Sequence, residues 1–452
     1  MKTYQLFFLA AVISIAIVIK GCDSLLDAEP QQSISEDVAL GTSQNVQNAL
    51  IGGYALMAGG TQFGGQWHYL PELLANDNEI SWSGTFFPQR DIWLKQQEPE
   101  NGVVTNTWSN AFNTINRVNN VLSALDVVDE SIRARVEGEA KFIRGTVYLY
   151  LVNMYGKTWG DGDNSSNLAV PLITTPTQGG IGEDANQPRA TVAAVYTQLI
   201  QDLTDAKNLL PEANGVFANT YAASAILSRA HLIRQEYSAA RDEAHRVINS
   251  GRYAMTPTYA DAFNNDANSP EDVFAIQVTS QDGSNNMNLF FASTAFGGRG
   301  DIDIEDPHLA LYEAGDERLD QFYIDATDGR RTSKFNARTA NVPFVRLAEL
   351  HLTRAEGNFR EGTSIGLAPE DELNAVRDRV GLGPVTLTSV DQILAERRVE
   401  LAFEGHRLFD IKRTRASVGA LPWNADILVF PVPQREMDAN PALEGQQNPG
   451  YN

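Results

Sequence analysis

Glu400 and Glu404 stand four residues apart in the segment 396–413, E-R-R-V-E-L-A-F-E-G-H-R-L-F-D-I-K-R. Two acids on one helix face are the raw material for a general acid and a general base. Here each has an arginine three residues away, Arg397 before Glu400 and Arg407 after Glu404, close enough to face it across a helical turn. A cation at that distance favours the ionised acid and removes the raised pKa that acid catalysis needs. The segment therefore reads as an ion-paired helix, with Val399 and Phe403 as its buried stripe. Six histidines, at 68, 231, 245, 308, 351 and 406, form no H-E-x-x-H or other metal-binding spacing. No G-x-S-x-G, P-loop or G-x-G-x-x-G run is present. The acidic run Asp301 to Asp306 lacks the rest of a calcium loop and reads as a solvated loop. These features predict no enzyme: no catalytic residue, no metal and no cofactor.

A second group of residues is suited to binding without reaction. Residues 66–93 hold Trp67, His68, Tyr69, Trp82, Phe86, Phe87 and Trp93 among Asn76, Asp77, Asn78, Glu79 and Arg90. Half of the six tryptophans fall in this stretch. Trp82 stands in Ser-Trp-Ser-Gly, a loop-like context in which a purely core role is not expected. Trp82 and the Phe86-Phe87 pair rank first as surface rings, then Trp67. Residues 281–305 offer Asn285, Asn286, Asn288, Phe290, Phe291, Phe296 and Arg299. If Phe290 and Phe291 lie in a strand, one of them points outward. Trp159, in Lys-Thr-Trp-Gly-Asp, is a third candidate.

The elements that must hold these residues are mostly helical. Val46, Leu50, Tyr54 and Met57 make an apolar stripe over 45–58. Trp108, Phe112, Ile115, Val118, Leu122 and Leu125 repeat it over 106–125. Ile132, Val136, Ala140, Ile143, Val147, Leu151 and Met154 do so over 131–155, with Gly156 placed to end that helix. Residues 191–210 begin with Thr191 as an N-cap and stop before Pro211. Residues 222–234 and 237–249 carry small residues at Ala225, Ala230, Ala240 and Ala244, and resemble a tetratricopeptide hairpin. Residues 343–360 and 369–380 look like a second pair. The predicted fold is mostly α: a tetratricopeptide-like helical-repeat superhelix carrying a large loop-rich lobe. The lobe is drawn from loops over about 59–105 and 251–342, with one strand at Val273 to Val278. Long loops inside a compact protein are usually functional. The prolines at 431, 433, 441 and 449 make the tail an extended strap.

Composition narrows the function further. The 452-residue chain has 35 Lys and Arg against 57 Asp and Glu, a formal charge of −22. Without a basic run it is a poor match for nucleic acid. Its one cysteine rules out an internal disulfide or a cysteine metal cluster. The 43% hydrophobic content fits a globular chain. Leu6 to Ile19 is apolar apart from Ser14, too short to span a bilayer, and reads as a signal peptide over 1–21. Gly21-Cys22 after that run resembles a bacterial lipobox, which makes Cys22 the lipidated first residue of a mature chain, 22–452, read as one domain. Loss of Lys2 and Lys20 with the signal takes the charge from −22 to −24.

Three segments resemble the SusD/RagB family of outer-membrane nutrient-binding lipoproteins. They are C-D-S-L-L-D-A-E-P from Cys22 to Pro30, the charged segment from Glu396 to Arg413, and the tail from Phe430 to Tyr451. Phe142-Ile143-Arg144-Gly145 and Met154-Tyr155-Gly156 also fit, in the family's order. Lys20 and a polar insertion, Thr158 to Asn167, depart from the pattern. The resemblance implies a SusD-like fold on the outer face of a bacterial outer membrane, held there by a lipid anchor. It implies a glycan ligand, bound by aromatics on loops, and a SusC-like TonB-dependent transporter as partner. Rings offer their faces to the CH faces of sugars, and Asn, Asp and Arg serve the hydroxyl rim. On that basis the ligand-contact candidates are Trp82, Phe86, Phe87, Trp67, Asn78, Asp77, Arg90, Phe290, Phe291 and Arg299. Two alternatives keep the scaffold: a peptide or glycopeptide ligand, or a helical-repeat scaffold that binds only proteins.

Overall fold

The computed structural model describes residues 40–177, 186–281, 283, 285–327 and 329–451. The signal, Cys22 and the segment to Pro30 lie outside the described residues. Four long helices open the fold: α1 Ser43–Ala58, then, after the first part of the lobe, α4 Gly102–Ser123, α5 Glu130–Tyr155 and α6 Val192–Leu209. Their starts are set by side-chain caps. Thr42 accepts from the Asn45 amide, Asn101 from those of Val103 and Val104, and Thr191 from that of Ala194. Asn101 is why α4 begins four residues earlier than its apolar stripe suggests. Gly156 ends α5 as expected. Gly145 in α5 faces Leu203 and the Leu199 carbonyl of α6, where a Cβ would stand 3.1 Å from that oxygen, so the two helices pack at short range.

Helices α7 Thr220–Ile233 and α8 Tyr237–Ile248 form the predicted hairpin. Ala225, Ala230, Ala240 and Ala244 are all buried, and the Ser228 hydroxyl donates to the Ala240 carbonyl at 2.8 Å. The stack continues through α11 Leu347–Glu361, α12 Pro369–Asp378 and α13 Val390–Glu400. Gly357 lets α11 lie against the Tyr237 carbonyl of α8. This is the expected tetratricopeptide-like scaffold. The segment 343–346, expected as the first turn of α11, is instead part of strand β8 Val342–Arg346, paired antiparallel with β4 Asp272–Ile276.

The expected single helix over 396–413 is two. Helix α13 stops at Glu400, and α14 starts at Arg407 and ends at Thr414. Between them Phe403 has φ 66° and Gly405 φ 83°. A side chain at Gly405 would meet the His68 Cα at 2.9 Å.

The lobe is more ordered than a set of loops. Residues 59–105 contain α2 Gln66–Leu74, β1 Ile80–Trp82 and α3 Phe87–Trp93. Residues 251–342 hold α9 Asn286–Phe291, α10 Asp306–Leu309 and strands β5 Ile302–Ile304, β6 Phe322–Ile324 and β7 Arg330–Thr332. Strands β2 Leu168–Pro171 and β3 Arg189–Thr191 pair between α5 and α6. One continuous core runs from Val46 to Leu443 through scaffold and lobe. At its centre Phe63 packs edge-on against Tyr150 at 4.8 Å and Phe344 at 4.7 Å. The tail returns across the end of α5, interrupted by α15 Gln434–Ala439. The Phe430 amide donates to the Met154 carbonyl at 2.7 Å, and the Asn448 amide group donates to the carbonyls of Tyr155 and Phe430.

Candidate ligand-binding surface

The two segments richest in candidate residues, 66–93 and 281–305, meet in space. Strand β1 pairs antiparallel with β5, with Ile80 opposite Ile304 and Trp82 opposite Ile302. The pairing continues past the strand end, where the Ser83 amide donates to the Asp301 carbonyl at 2.9 Å. Gly84 lies flat on the Asp301 side chain, with no room for a Cβ. The chain then turns out to Thr85, Phe86 and Phe87, and Pro88 fixes the first turn of α3.

Phe86 is 41% exposed and Phe87 67% exposed. The Arg299 guanidinium lies 4.3 Å from the centre of the Phe86 ring, a cation–π contact. Two polar bonds fix it there: Nε to Asp301 at 2.7 Å and Nη2 to the Thr85 hydroxyl at 3.1 Å. Beneath Phe86 lies the edge of Phe290, which packs in turn on Trp82 at 5.4 Å and Tyr69 at 4.8 Å. Arg90 is exposed on α3, and Phe296, 43% exposed, rests on Tyr323 on the β5 side. The outer rings therefore stand on a rigid aromatic base with a guanidinium alongside.

Four sequence candidates are buried and offer no ring face to solvent, and two of them, Trp82 and Phe290, belong to that base. Trp82 is 4% exposed. It occupies the last position of β1, and strand alternation turns it inward with Ile80. The loop-like Ser-Gly context begins one residue later. Trp67 is buried on α2 against Phe63 and Tyr150. Phe290 and Phe291 lie in a short helix rather than a strand, so neither is pushed outward; Phe291 packs on Phe335 and Phe403. Asp77 and Asn78 are exposed, but they precede β1 while Phe86 follows it.

A pair of half-buried indoles stands elsewhere, one of them missed in the sequence. Trp159 packs on Tyr196 at 4.9 Å and carries Arg234 over its ring at 4.5 Å. Trp423 carries Arg415 at 5.3 Å, and Asn424 beside it donates to Asp161 at 2.9 Å. The turn Pro422-Trp423-Asn424, just past α14, was the available signal. It is the same kind of context that was given to Trp82.

The carboxylates of the charged segment are committed to a buried ion network, with partners other than those expected from helical spacing. Arg346 donates to Glu404 at 2.7 and 2.8 Å, to Glu400 at 3.0 Å and to Glu271 at 2.6 Å. Lys334 adds a bond to Glu404 at 2.7 Å, Arg318 pairs with Glu400 at 3.3 Å, and Arg379 pairs with both Glu271 and Glu400. Arg397 turns instead to Asp410 at 2.9 Å. Burial pushes the Glu404 carboxyl up, but Arg346 and Lys334 together hold it well below the usual carboxylate range. Glu400 is likewise lowered, with burial outweighed by Arg379, Arg346 and Arg318. Both acids, on either side of the turn that ends α13, thus converge on Arg346. The acidic run of β5 is also occupied: Asp301 pairs with Arg299, Asp303 with Arg331, and Asp306 with Arg330. Among the described residues no group of three or more His, Cys, Asp or Glu is placed to hold a metal ion.

Comparison with known proteins decides the family. A profile of the SusD-like group described as starch-binding and associating with the outer membrane matches residues 25–232, and the SusD family profile matches 319–426. The chain belongs to the SusD family. SusD-like protein P2 of Formosa agariphila is 25% identical over the full length of both chains. Among solved structures, a putative sugar binding protein from Bacteroides vulgatus superposes with a TM-score of 0.81 at 26% identity, covering 91% of this chain and 99% of that one. Surface glycan-binding protein A from Bacteroides uniformis shares the fold, with a TM-score of 0.76 at 20% identity, covering 90% of this chain and 99% of that one. The family profiles span the long first helices and the 396–413 segment from which the resemblance was read.

Proposed function

We propose that this chain is a cell-surface lipoprotein that binds oligosaccharide and passes it to a TonB-dependent outer-membrane transporter. One observation carries the binding half: Phe86 and Phe87 face solvent on a buried aromatic base, with Arg299 fixed beside them. Aromatic faces take the apolar faces of sugar rings, and a guanidinium with Arg90 nearby supplies donors to hydroxyls. A rigid base lowers the ordering cost of binding. The names of two relatives, a putative sugar binding protein and a surface glycan-binding protein, support a carbohydrate ligand. Cys22 would carry the acyl anchor of a single SusD-like unit over 22–452. No described helix is long and apolar enough to cross a membrane, and anchoring through a lipid needs none.

The delivery half is tested on the full-length protein in its own membrane. Affinity purification from solubilised outer membranes should recover a TonB-dependent barrel in stoichiometric amount. Cells lacking the protein should take up labelled oligosaccharide more slowly. Recovery of the protein alone, with uptake unchanged in its absence, would overturn the delivery role.

A further inference from the structure

A cavity of about 60 Å³ lies between α2 and the α13–turn–α14 segment, away from the aromatic surface. One water needs about 10–15 Å³ by the same measure, so the space takes a few waters or one small polyatomic ion. Three arginines line it: Arg397, which is committed to Asp410, and Arg398 and Arg407. In each of the latter two, Nε is buried and has no hydrogen-bond partner. Arg398 is tied to Glu79 through Nη2 alone. The half-buried Arg407 guanidinium makes no hydrogen bond or ion pair among the described residues.

Three carboxylates line the space and none completes this pair: Asp410 is taken by Arg397 and Arg413. Glu79 is shared between Arg398 and His308, the latter at 3.4 Å. Glu72 points one oxygen at backbone amides instead, accepting from Gly405 at 2.9 Å and Arg407 at 3.4 Å. Burial also raises Glu72 to about 7, so it is an incomplete counter-charge at neutral pH. Buried donors are almost always paired. Two orphaned donors in one cavity therefore point to an absent acceptor, and the forked guanidinium matches an oxyanion.

We propose that this cavity binds a small oxyanion, a carboxylate or sulfate group, held between the guanidiniums of Arg398 and Arg407. The site does not depend on the carbohydrate reading of the Phe86–Phe87 surface. The anion is either free in solution or carried by an acidic saccharide.

The test is a crystal of the mature protein soaked in sodium selenate, whose selenium gives an anomalous signal. A selenium peak is expected in the cavity within hydrogen-bond reach of Arg398 Nε and Arg407 Nε, and it should vanish in Arg407→Gln. That substitution breaks no hydrogen bond or ion pair among the described residues, so the fold is expected to survive, and circular dichroism verifies this. Thermal shifts at matched ionic strength separate the sources. A rise with sodium sulfate alone assigns a free anion, and one with sodium glucuronate assigns a saccharide carboxylate; each should be lost in Arg407→Gln. A cavity holding only water after the soak, or a peak and shifts unchanged in Arg407→Gln, would overturn the proposal.

Discussion

Replacing Arg346 by Met should destabilise the fold strongly, and the cost should depend on pH. Arg346 is fully buried and bridges Glu271, Glu400 and Glu404 with bonds of 2.6 to 3.0 Å. Met keeps the volume and removes the charge. The remaining cations, Lys334, Arg379 and Arg318, then face those three carboxylates with less than balancing contact. Breaking a buried pair by removing one partner costs about 3–5 kcal/mol. At roughly 2.1 cal/mol/K per residue over about 400 ordered residues, this corresponds to a fall in Tm of about 4–6 °C. In the parent protein Glu404 titrates well below its unfolded value near 4.3, so its contribution is intact above that pH and is lost only in strong acid. In the variant burial prevails and the folded pKa of Glu400 or Glu404 rises above the unfolded value. Its stability is then greatest below about pH 4.3 and is lost as pH rises through the new folded value. Melting followed by circular dichroism at pH 5 and pH 8 should show a deficit that is larger at pH 8. A Tm within 1 °C of the parent at both pH values would refute the network as a source of stability, and an equal deficit at both would refute its electrostatic origin.

Other outcomes follow from the same geometry. Phe87→Ala, at a 67% exposed position, should change stability by less than about 0.5 kcal/mol. It should nevertheless weaken oligosaccharide binding by about 0.5–1.5 kcal/mol, or roughly 2- to 12-fold in titration calorimetry. Trp82→Ala should do the reverse of a pure contact mutation and destabilise the fold by about 3–5 kcal/mol in urea melts. Gly405→Ala forces an L side chain to φ 83° and against the His68 backbone, and should cost about 2 kcal/mol or more in the same assay. Cys22→Ala should move the protein from the outer-membrane fraction to the soluble one without changing its far-ultraviolet spectrum.

Helices were the most legible part of this chain because their signals are local. Stripes, Thr191 and Gly156 marked boundaries to within a few residues, and the alanines of α7 and α8 announced close packing. The break at Phe403–Gly405 had one local signal, Gly405, while the backbone of His68 that it packs against is far away in the sequence. Arginine partners were misassigned for the same reason, since spacing within a helix says nothing of Arg346 arriving from β8. At the candidate surface, proximity of segments was easier to read than the direction of each ring. Both aromatic segments converge through β1 and β5, but which rings face outward depends on strand phase at Trp82 and on a six-residue helix at Phe290. Neither has a distinct signature in composition.

Sugar is proposed to sit on the outer rings at Phe86 and Phe87. Affinity electrophoresis tests this most directly, with the soluble mature protein run through gels carrying a panel of neutral and acidic polysaccharides. Retardation by at least one polysaccharide is predicted for the parent protein, with mobility restored in a folded Phe86→Ala/Phe87→Ala double variant. Retardation that persists undiminished in the double variant would place the sugar elsewhere on the protein.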